Sequence, residues 1–283
     1  MSAAVIDIGS GSVRLLLGGK KITVMTKLGE GLNATGRLSE PAMKRTVSTI
    51  KDFAQTARMA GADVYAFGTE AVRAAANRSE FLSAVASECG VRVEIISGYE
   101  EAEIALLGAC PDGEATVVDI GGASVEIVCG EGNKLSYVKS LPLGMVRLTE
   151  RSGGDPELMR TYATKGIFKY KGVKVSGELI GVGGTFTSLA AMALGLKKYD
   201  ADKVHGYVLT LAEVKEMRDR LVEAGNPKKI AALYPVLPAM RSELITAGAI
   251  FVIELLGYLG VDGIKISDAD NLDGFVRYKR LTV

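Results

Sequence analysis

The chain has 283 residues, 48% of them hydrophobic and 24% charged, which suits two globular domains rather than one small core. Its net charge of +1 gives no global attraction to nucleic acid or to a membrane, so neither is expected as a partner. A single histidine excludes a zinc site built on histidines, and three cysteines without metal-ligand spacing fit a reducing, cytoplasmic setting.

The first strand, Ala4 to Asp7, turns at Gly9–Gly11 and returns as Ser12 to Leu17. No basic segment precedes its apolar run, so the start does not read as a signal peptide. Gly18-Gly19 makes a hairpin into Ile22 to Lys27, and Gly29 to Gly36 reads as a polar, glycine-rich loop. Ser39 caps a helix whose apolar stripe is Met43, Val47, Ile50 and Ala54. Asp63 to Phe67 is the next strand. Thr69 stands at its end, and a short helix then places Arg73 near the carboxyl edge where open α/β sheets bind ligands. Arg73 is read either as a phosphate clamp or as a solvated helix arginine. Ser79 to Cys89 is a helix and Val91 to Ile96 a strand, followed by a helix from Glu100 to Gly108. Glu100 and Glu101 suit the helix dipole, yet one of them facing the ligand edge would orient or deprotonate a water.

Thr116 to Val118 reads as a buried strand delivering Asp119, Gly121-Gly122 and Ser124. The same arrangement occurs earlier: Val5-Ile6-Asp7-Ile8-Gly9-Ser10-Gly11-Ser12-Val13 aligns with Val117-Val118-Asp119-Ile120-Gly121-Gly122-Ala123-Ser124-Val125. A carboxylate beside bare amides suits a metal and a phosphate together, and two copies imply two related domains with a phosphate cleft. Glu126 to Gly130 and Leu135 to Ser140 form a hairpin turning at Gly130 to Asn133. Leu141-Pro142-Leu143-Gly144 leads into a short helix, and residues 151–177 read as polar and irregular. Leu179 to Val182 ends in Gly183-Gly184-Thr185 before a helix, a third anion site of the strand–glycine–helix kind. His205 to Thr210 is read as a strand, with His205 packing or hydrogen-bonding rather than catalysing. Arg241 to Leu259 is read as one long helix, buried in the core rather than spanning a membrane. Gly263 to Ser267 is the last strand before a final helix.

This order of motifs resembles the exopolyphosphatase / guanosine pentaphosphate phosphohydrolase (Ppx/GppA) family. The resemblance rests on Ile6-Asp7-Ile8-Gly9-Ser10, Gly68-Thr69-Glu70-Ala71-Val72-Arg73, Ser97-Gly98-Tyr99-Glu100-Glu101-Ala102 and Val118-Asp119-Ile120-Gly121-Gly122. It continues through Leu141-Pro142-Leu143-Gly144, Gly183-Gly184-Thr185, Val204-His205-Gly206, and Pro238 with Arg241. It implies an α/β fold of two ribonuclease H-like (actin-like ATPase) domains with a cleft between them. The domains are expected at 1–115 and 116–283, with the final helix able to pack back on the first.

The resemblance further implies hydrolysis of terminal phosphoanhydride bonds in inorganic polyphosphate or guanosine pentaphosphate, with magnesium or manganese. Glu101 looks like the general base, with Glu100 as its fallback. Ser10, Gly11, Ser12, Arg73, Gly121, Gly122, Ser124, Gly184 and Thr185 are expected to bind phosphate. Asp7, Asp119 and Glu126 are expected to hold the metal, and a homodimer is left open. Gly11, Ala123 and Val125 depart from the family pattern. Leu272-Asp273-Gly274 stands where Arg-Glu-Gly is expected, a loss that would weaken phosphate binding or loosen domain contact. Two other readings are a phosphotransferase of the same superfold, which needs an acceptor, and a non-catalytic sensor of polyphosphate or guanosine pentaphosphate.

Overall fold

Six consecutive buried residues form β1 (Ala3–Ile8), because this strand is covered on both faces. The computed structural model describes residues 2–132 and 134–283; Asn133, placed by sequence in a hairpin turn, lies outside the described residues. β2 (Ser12–Leu17) and β3 (Lys20–Met25) extend β1 as an antiparallel meander. β4 (Asp63–Gly68) and β5 (Val93–Ile95) add parallel strands on its other side, giving the order β3-β2-β1-β4-β5.

The helices of this half follow their local signals. A single turn, α1 (Leu32–Thr35), lies inside the loop that sequence left irregular, bounded by glycines 31 and 36 at positive φ. In α2 (Glu40–Met59) the Ser39 hydroxyl accepts from the Ala42 N–H, with Pro41 in the first turn. α3 (Glu70–Ala74), α4 (Arg78–Cys89) and α5 (Gly98–Ala109) complete the set.

The chain divides into two compact units, Met1–Gly108 with Asn271–Val283, and Ala109–Asp270. The second unit has a sheet of β6 (Glu114–Ile120), β7 (Val125–Glu131), β8 (Lys134–Leu141), β9 (Glu178–Val182), β10 (Val208–Thr210) and β11 (Gly263–Ile266). Their order is β10-β11-β9-β6-β7-β8. Read from the meander side, β8-β7-β6-β9-β11 repeats β3-β2-β1-β4-β5, with β10 added antiparallel at the edge. The sequence repeat is thus a repeat of topology, and both units have the ribonuclease H-like order.

Three sequence readings of the second unit are corrected. Residues 151–177 are not irregular throughout. After α6 (Met145–Ser152), Asp155 caps and Pro156 opens α7 (Pro156–Ile167), which buries Met159, Ala163 and Ile167 at helical spacing. Its polar outer face, with Glu157, Arg160, Thr161 and Lys165, hid that period. α8 (Gly184–Ala193) follows β9 directly, and α9 (Ala201–Val204) precedes His205. The strand there is three residues long, and His205 lies before it, its Nδ1 accepting the Asp268 N–H at 3.2 Å. α10 (Leu211–Ala224) carries a full capping box at Thr210 and Glu213. α11 (Pro227–Leu233) and α12 (Ala239–Ser242) lead to α13 (Ile245–Leu259), so the long helix is broken after Ser242. No helix among the described residues is long and apolar enough to cross a membrane.

The last helix, α14 (Asn271–Lys279), completes the first unit. Phe275 stacks on Phe67 of β4 at 4.5 Å between ring centres, and Leu272 is fully buried with Val5, Leu16, Ile96 and Ile104. Gly274 is obligatory here, since a Cβ would lie 1.9 Å from the Ile104 carbonyl oxygen of α5. The departure at position 272 is therefore a core residue of the first unit.

Candidate active site

The two repeated turns share one hydrogen-bond pattern. The Gly9 N–H donates to the Ser12 carbonyl and the Gly121 N–H to the Ser124 carbonyl, both at 3.0 Å. In each turn, loop amides then tie up the carbonyls from one side. Ser10 O accepts from Gly29 N–H at 2.8 Å, and Gly11 O from Thr26 and Lys27 at 3.0 and 2.9 Å. Gly121, Gly122 and Ala123 carbonyls accept from Met145, Val146 and Gly144 at 3.0, 2.9 and 3.1 Å. A trans peptide points its N–H opposite its C=O. The N–H groups of Gly11 and Ser12, and those of Gly122, Ala123 and Ser124, therefore face away from these loops. Such rows of aligned amides attract anions. The Leu-Pro-Leu-Gly segment has its physical reason here: a Cβ on Gly144 would stand 2.3 Å from the Gly122 carbonyl atoms.

Charge distinguishes the two turns. In the first unit Asp7 lies opposite Arg14 across the hairpin. Arg14 Nε donates to Asp7 Oδ2 at 3.0 Å, a second guanidinium nitrogen touches the same oxygen, and Asp7 is 2% exposed. In the second unit the corresponding pair is Asp119 opposite Glu126. Two carboxylates directly opposed on one sheet face repel. Gly183, at φ +87, leaves room beside them: a Cβ there would meet Asp119 Oδ1 at 2.6 Å. The Ser140 hydroxyl, opposite Glu126 on β8, donates to Glu126 Oε1. Among the described residues no group of three or more His, Cys, Asp or Glu forms a cation cage. Two carboxylates fit a hard ion such as magnesium that takes its remaining oxygens from water and phosphate, and they do not fit a closed protein site. Burial pushes the Cys89, Cys110 and Cys129 thiols up, away from nucleophilic or ligand character.

At the end of β5 the two glutamates separate by role. Ser97 Oγ accepts the Glu100 N–H at 3.2 Å, while Glu100 Oε2 accepts the Ser97 N–H at 2.8 Å. This is a capping box, and it closes the start of α5. The Ser97 backbone bond, followed by its hydroxyl bond, holds the Glu100 carboxyl below the ordinary range. Glu101, one residue on, turns instead to Arg73. Arg73 places both terminal nitrogens on Glu101 Oε2 at 3.1 and 3.2 Å and donates to the Ile96 carbonyl at 2.7 Å. The Glu101 side chain is 13% exposed. Thus β4, through α3, and β5, through α5, deliver one arginine and one carboxylate to the same edge of the first sheet.

The third glycine turn, at Gly183-Gly184-Thr185, holds a cation. The Arg241 guanidinium occupies the space a Cβ at Gly184 would take, 1.8 Å from that ideal position. Thr185 turns inward: its hydroxyl donates to the Ile120 carbonyl at 3.4 Å and its methyl fills the gap over Gly248. Of the expected phosphate binders, the first-unit turn and Arg73 lie in one unit, and Gly121, Gly122, Ser124, Gly184 and Thr185 in the other. Sequence reading did not single out Arg14 or Ser140. Counting residues outward from the first turn pairs position 7 with 14, so Arg14 was available from the strand register. An irregularity at Cys129/Gly130 shifts the next hairpin by one residue and brings Ser140 opposite Glu126, which no simple count gives.

The Ppx/GppA phosphatase family matches residues 4–276. Exopolyphosphatase 2 of Mycobacterium tuberculosis is 33% identical, over 96% of this chain and 96% of that one. A guanosine-5'-triphosphate,3'-diphosphate pyrophosphatase of Aeromonas hydrophila is 27% identical over 96% of this chain and 58% of its own length. The crystal structure of the Aquifex aeolicus Ppx/GppA family member superposes with a TM-score of 0.81 at 34% identity, covering 99% of this chain and 97% of that one. These matches show that the chain belongs to the Ppx/GppA phosphatase family.

Proposed function

We propose that this phosphoanhydride hydrolase releases terminal phosphate from inorganic polyphosphate or guanosine pentaphosphate, with Glu101 as general base. The observation that supports this assignment is the division of labour between adjacent glutamates: Glu100 closes the helix cap, while Glu101 faces an arginine. The relatives named for exopolyphosphatase and guanosine-5'-triphosphate,3'-diphosphate pyrophosphatase support the two substrate classes.

In the proposed reaction a water oxygen attacks the terminal phosphorus in line with the bond to the bridging oxygen. Glu101 takes the proton from that water as the new P–O bond forms. The bridging P–O bond breaks, and its electron pair leaves on the shortened chain. Arg73 holds the Glu101 carboxylate in place, and its guanidinium also offers charge to a phosphate oxygen. The amide row of the Gly9–Ser12 turn in one unit and that of the Gly121–Ser124 turn in the other each offer donors to phosphate oxygens. Asp119 and Glu126 would hold a magnesium or manganese ion, whose charge offsets that of the phosphates when bound. Asp7 has its arginine partner, so its part is to anchor the first turn through Arg14.

The test is phosphate release from short polyphosphate, long polyphosphate and guanosine pentaphosphate, with magnesium or manganese and with chelator. Release without any acceptor, lost on chelation, is the expected result. Binding without release would make the chain a sensor. Transfer that requires an acceptor would make it a kinase of the same superfold.

A further inference from the structure

We propose that Ser140 is a positioning residue for the cation site, fixing Glu126 in the orientation that faces Asp119. This rests on the reading of Asp119 and Glu126 as cation-holding residues. Residues 119, 126 and 140 are consecutive register partners across β6, β7 and β8, so one rung of the sheet carries carboxylate, carboxylate and hydroxyl. The Ser140 hydroxyl donates to Glu126 Oε1. A glutamate on a strand has three rotatable bonds, and in a site with two protein carboxylates each must be held before the ion arrives. A hydroxyl donor on one oxygen restrains the side chain without adding charge. Partners of this outer kind typically set metal affinity within a factor of about 10–100.

The position also has a second link to the site. Ser140 begins the segment whose Gly144, Met145 and Val146 amides tie down the carbonyls of the Gly121–Ala123 turn. One stretch of chain therefore orients both the carboxylate pair and the amide row. Ser140 is itself exposed on an edge strand, so loss of its hydroxyl leaves no buried polar atom behind.

The experiment titrates Mn2+ into the full chain, reading free ion by electron paramagnetic resonance, for the parent, Ser140→Ala and Ser140→Thr. Metal-free melting is measured on each. The expected result is about tenfold or greater weakening of Mn2+ binding in Ser140→Ala, recovery in Ser140→Thr, and the same metal-free melting in all three. Equal Mn2+ affinity in parent and Ser140→Ala overturns the role of Ser140 and leaves the cation reading standing. A parent that takes up no Mn2+ overturns the cation reading, and the role of Ser140 falls with it.

Discussion

Arg73 and Glu101 form a forked ion pair in which both terminal guanidinium nitrogens rest on one carboxylate oxygen, at 3.1 and 3.2 Å. The pair is partly shielded, with side-chain exposures of 30% and 13%. A base held this way is oriented before substrate arrives. Glu101→Gln keeps the size and the hydrogen-bond acceptor and removes the proton-accepting charge. Its expected effect is a fall in kcat of about a hundredfold or more, with little change in KM. Steady-state phosphate release measures this, and a variant as fast as the parent would remove Glu101 from the reaction.

Glu100 makes the complementary case. Its carboxyl is held below the free value of 4.5, first by the Ser97 backbone bond and then by the Ser97 hydroxyl, with Tyr278 and Lys279 of α14 contributing. A depressed folded value means the unfolded chain binds the proton first as pH falls. The stabilisation is therefore complete above 4.5 and disappears as pH drops through the lower folded value. Glu100→Gln is expected to flatten the acid limb of a melting-temperature profile while phosphate release near neutral pH stays close to the parent. An activity loss matching that of Glu101→Gln would reverse the two assignments.

Much of this was legible in the chain. The repeat of Asp-Ile-Gly with a serine five positions on pointed to two like turns, and the topology repeats with them. The strand–Ser-Gly-X-Glu-Glu pattern located the carboxylates, and the three-residue spacing from Ser97 to Glu100 also spells the capping box that the structure forms, a signal that the sequence reading did not use. What remained hidden depends on partners far apart in sequence. Leu272 is buried by Phe67, Ile96 and Ile104, and Gly184 is reserved for Arg241, contacts that no local window contains. α7 was missed because the polar residues Glu157, Arg160, Thr161 and Lys165 on its outer face dilute the apolar period.

Asp119 and Glu126 are directly opposed across β6 and β7. Asp119→Asn or Glu126→Gln removes one of the two charges, and melting in chelator gives each variant its own baseline. In magnesium the parent gains stability by binding the ion, and the variants gain less or nothing. Thermal melts with and without magnesium check this. Equal magnesium protection in parent and both variants would place the ion elsewhere.

Leu272 supplies a test of fold against family pattern. The family pattern has an arginine here, and restoring it by Leu272→Arg is the obvious way to strengthen phosphate binding. The structure argues the opposite outcome. Leu272 is 0% exposed, its neighbours are Val5, Leu16, Phe67 and Phe275, and the adjacent Asp273 is engaged with Lys21 of β3 at 2.6 Å. Placing a guanidinium among these side chains leaves a charge buried against apolar atoms, at a cost of about 3 kcal/mol or more. α14 also crosses α5 too closely at Gly274 to shift aside, since even a Cβ there would sit 1.9 Å from the Ile104 carbonyl. Leu272→Arg is therefore expected to lower the urea midpoint sharply and to lose activity with the fold, whereas Leu272→Met, similar in volume, costs under about 1.5 kcal/mol. A Leu272→Arg chain that keeps the parent midpoint and hydrolyses faster would show that this residue faces the substrate.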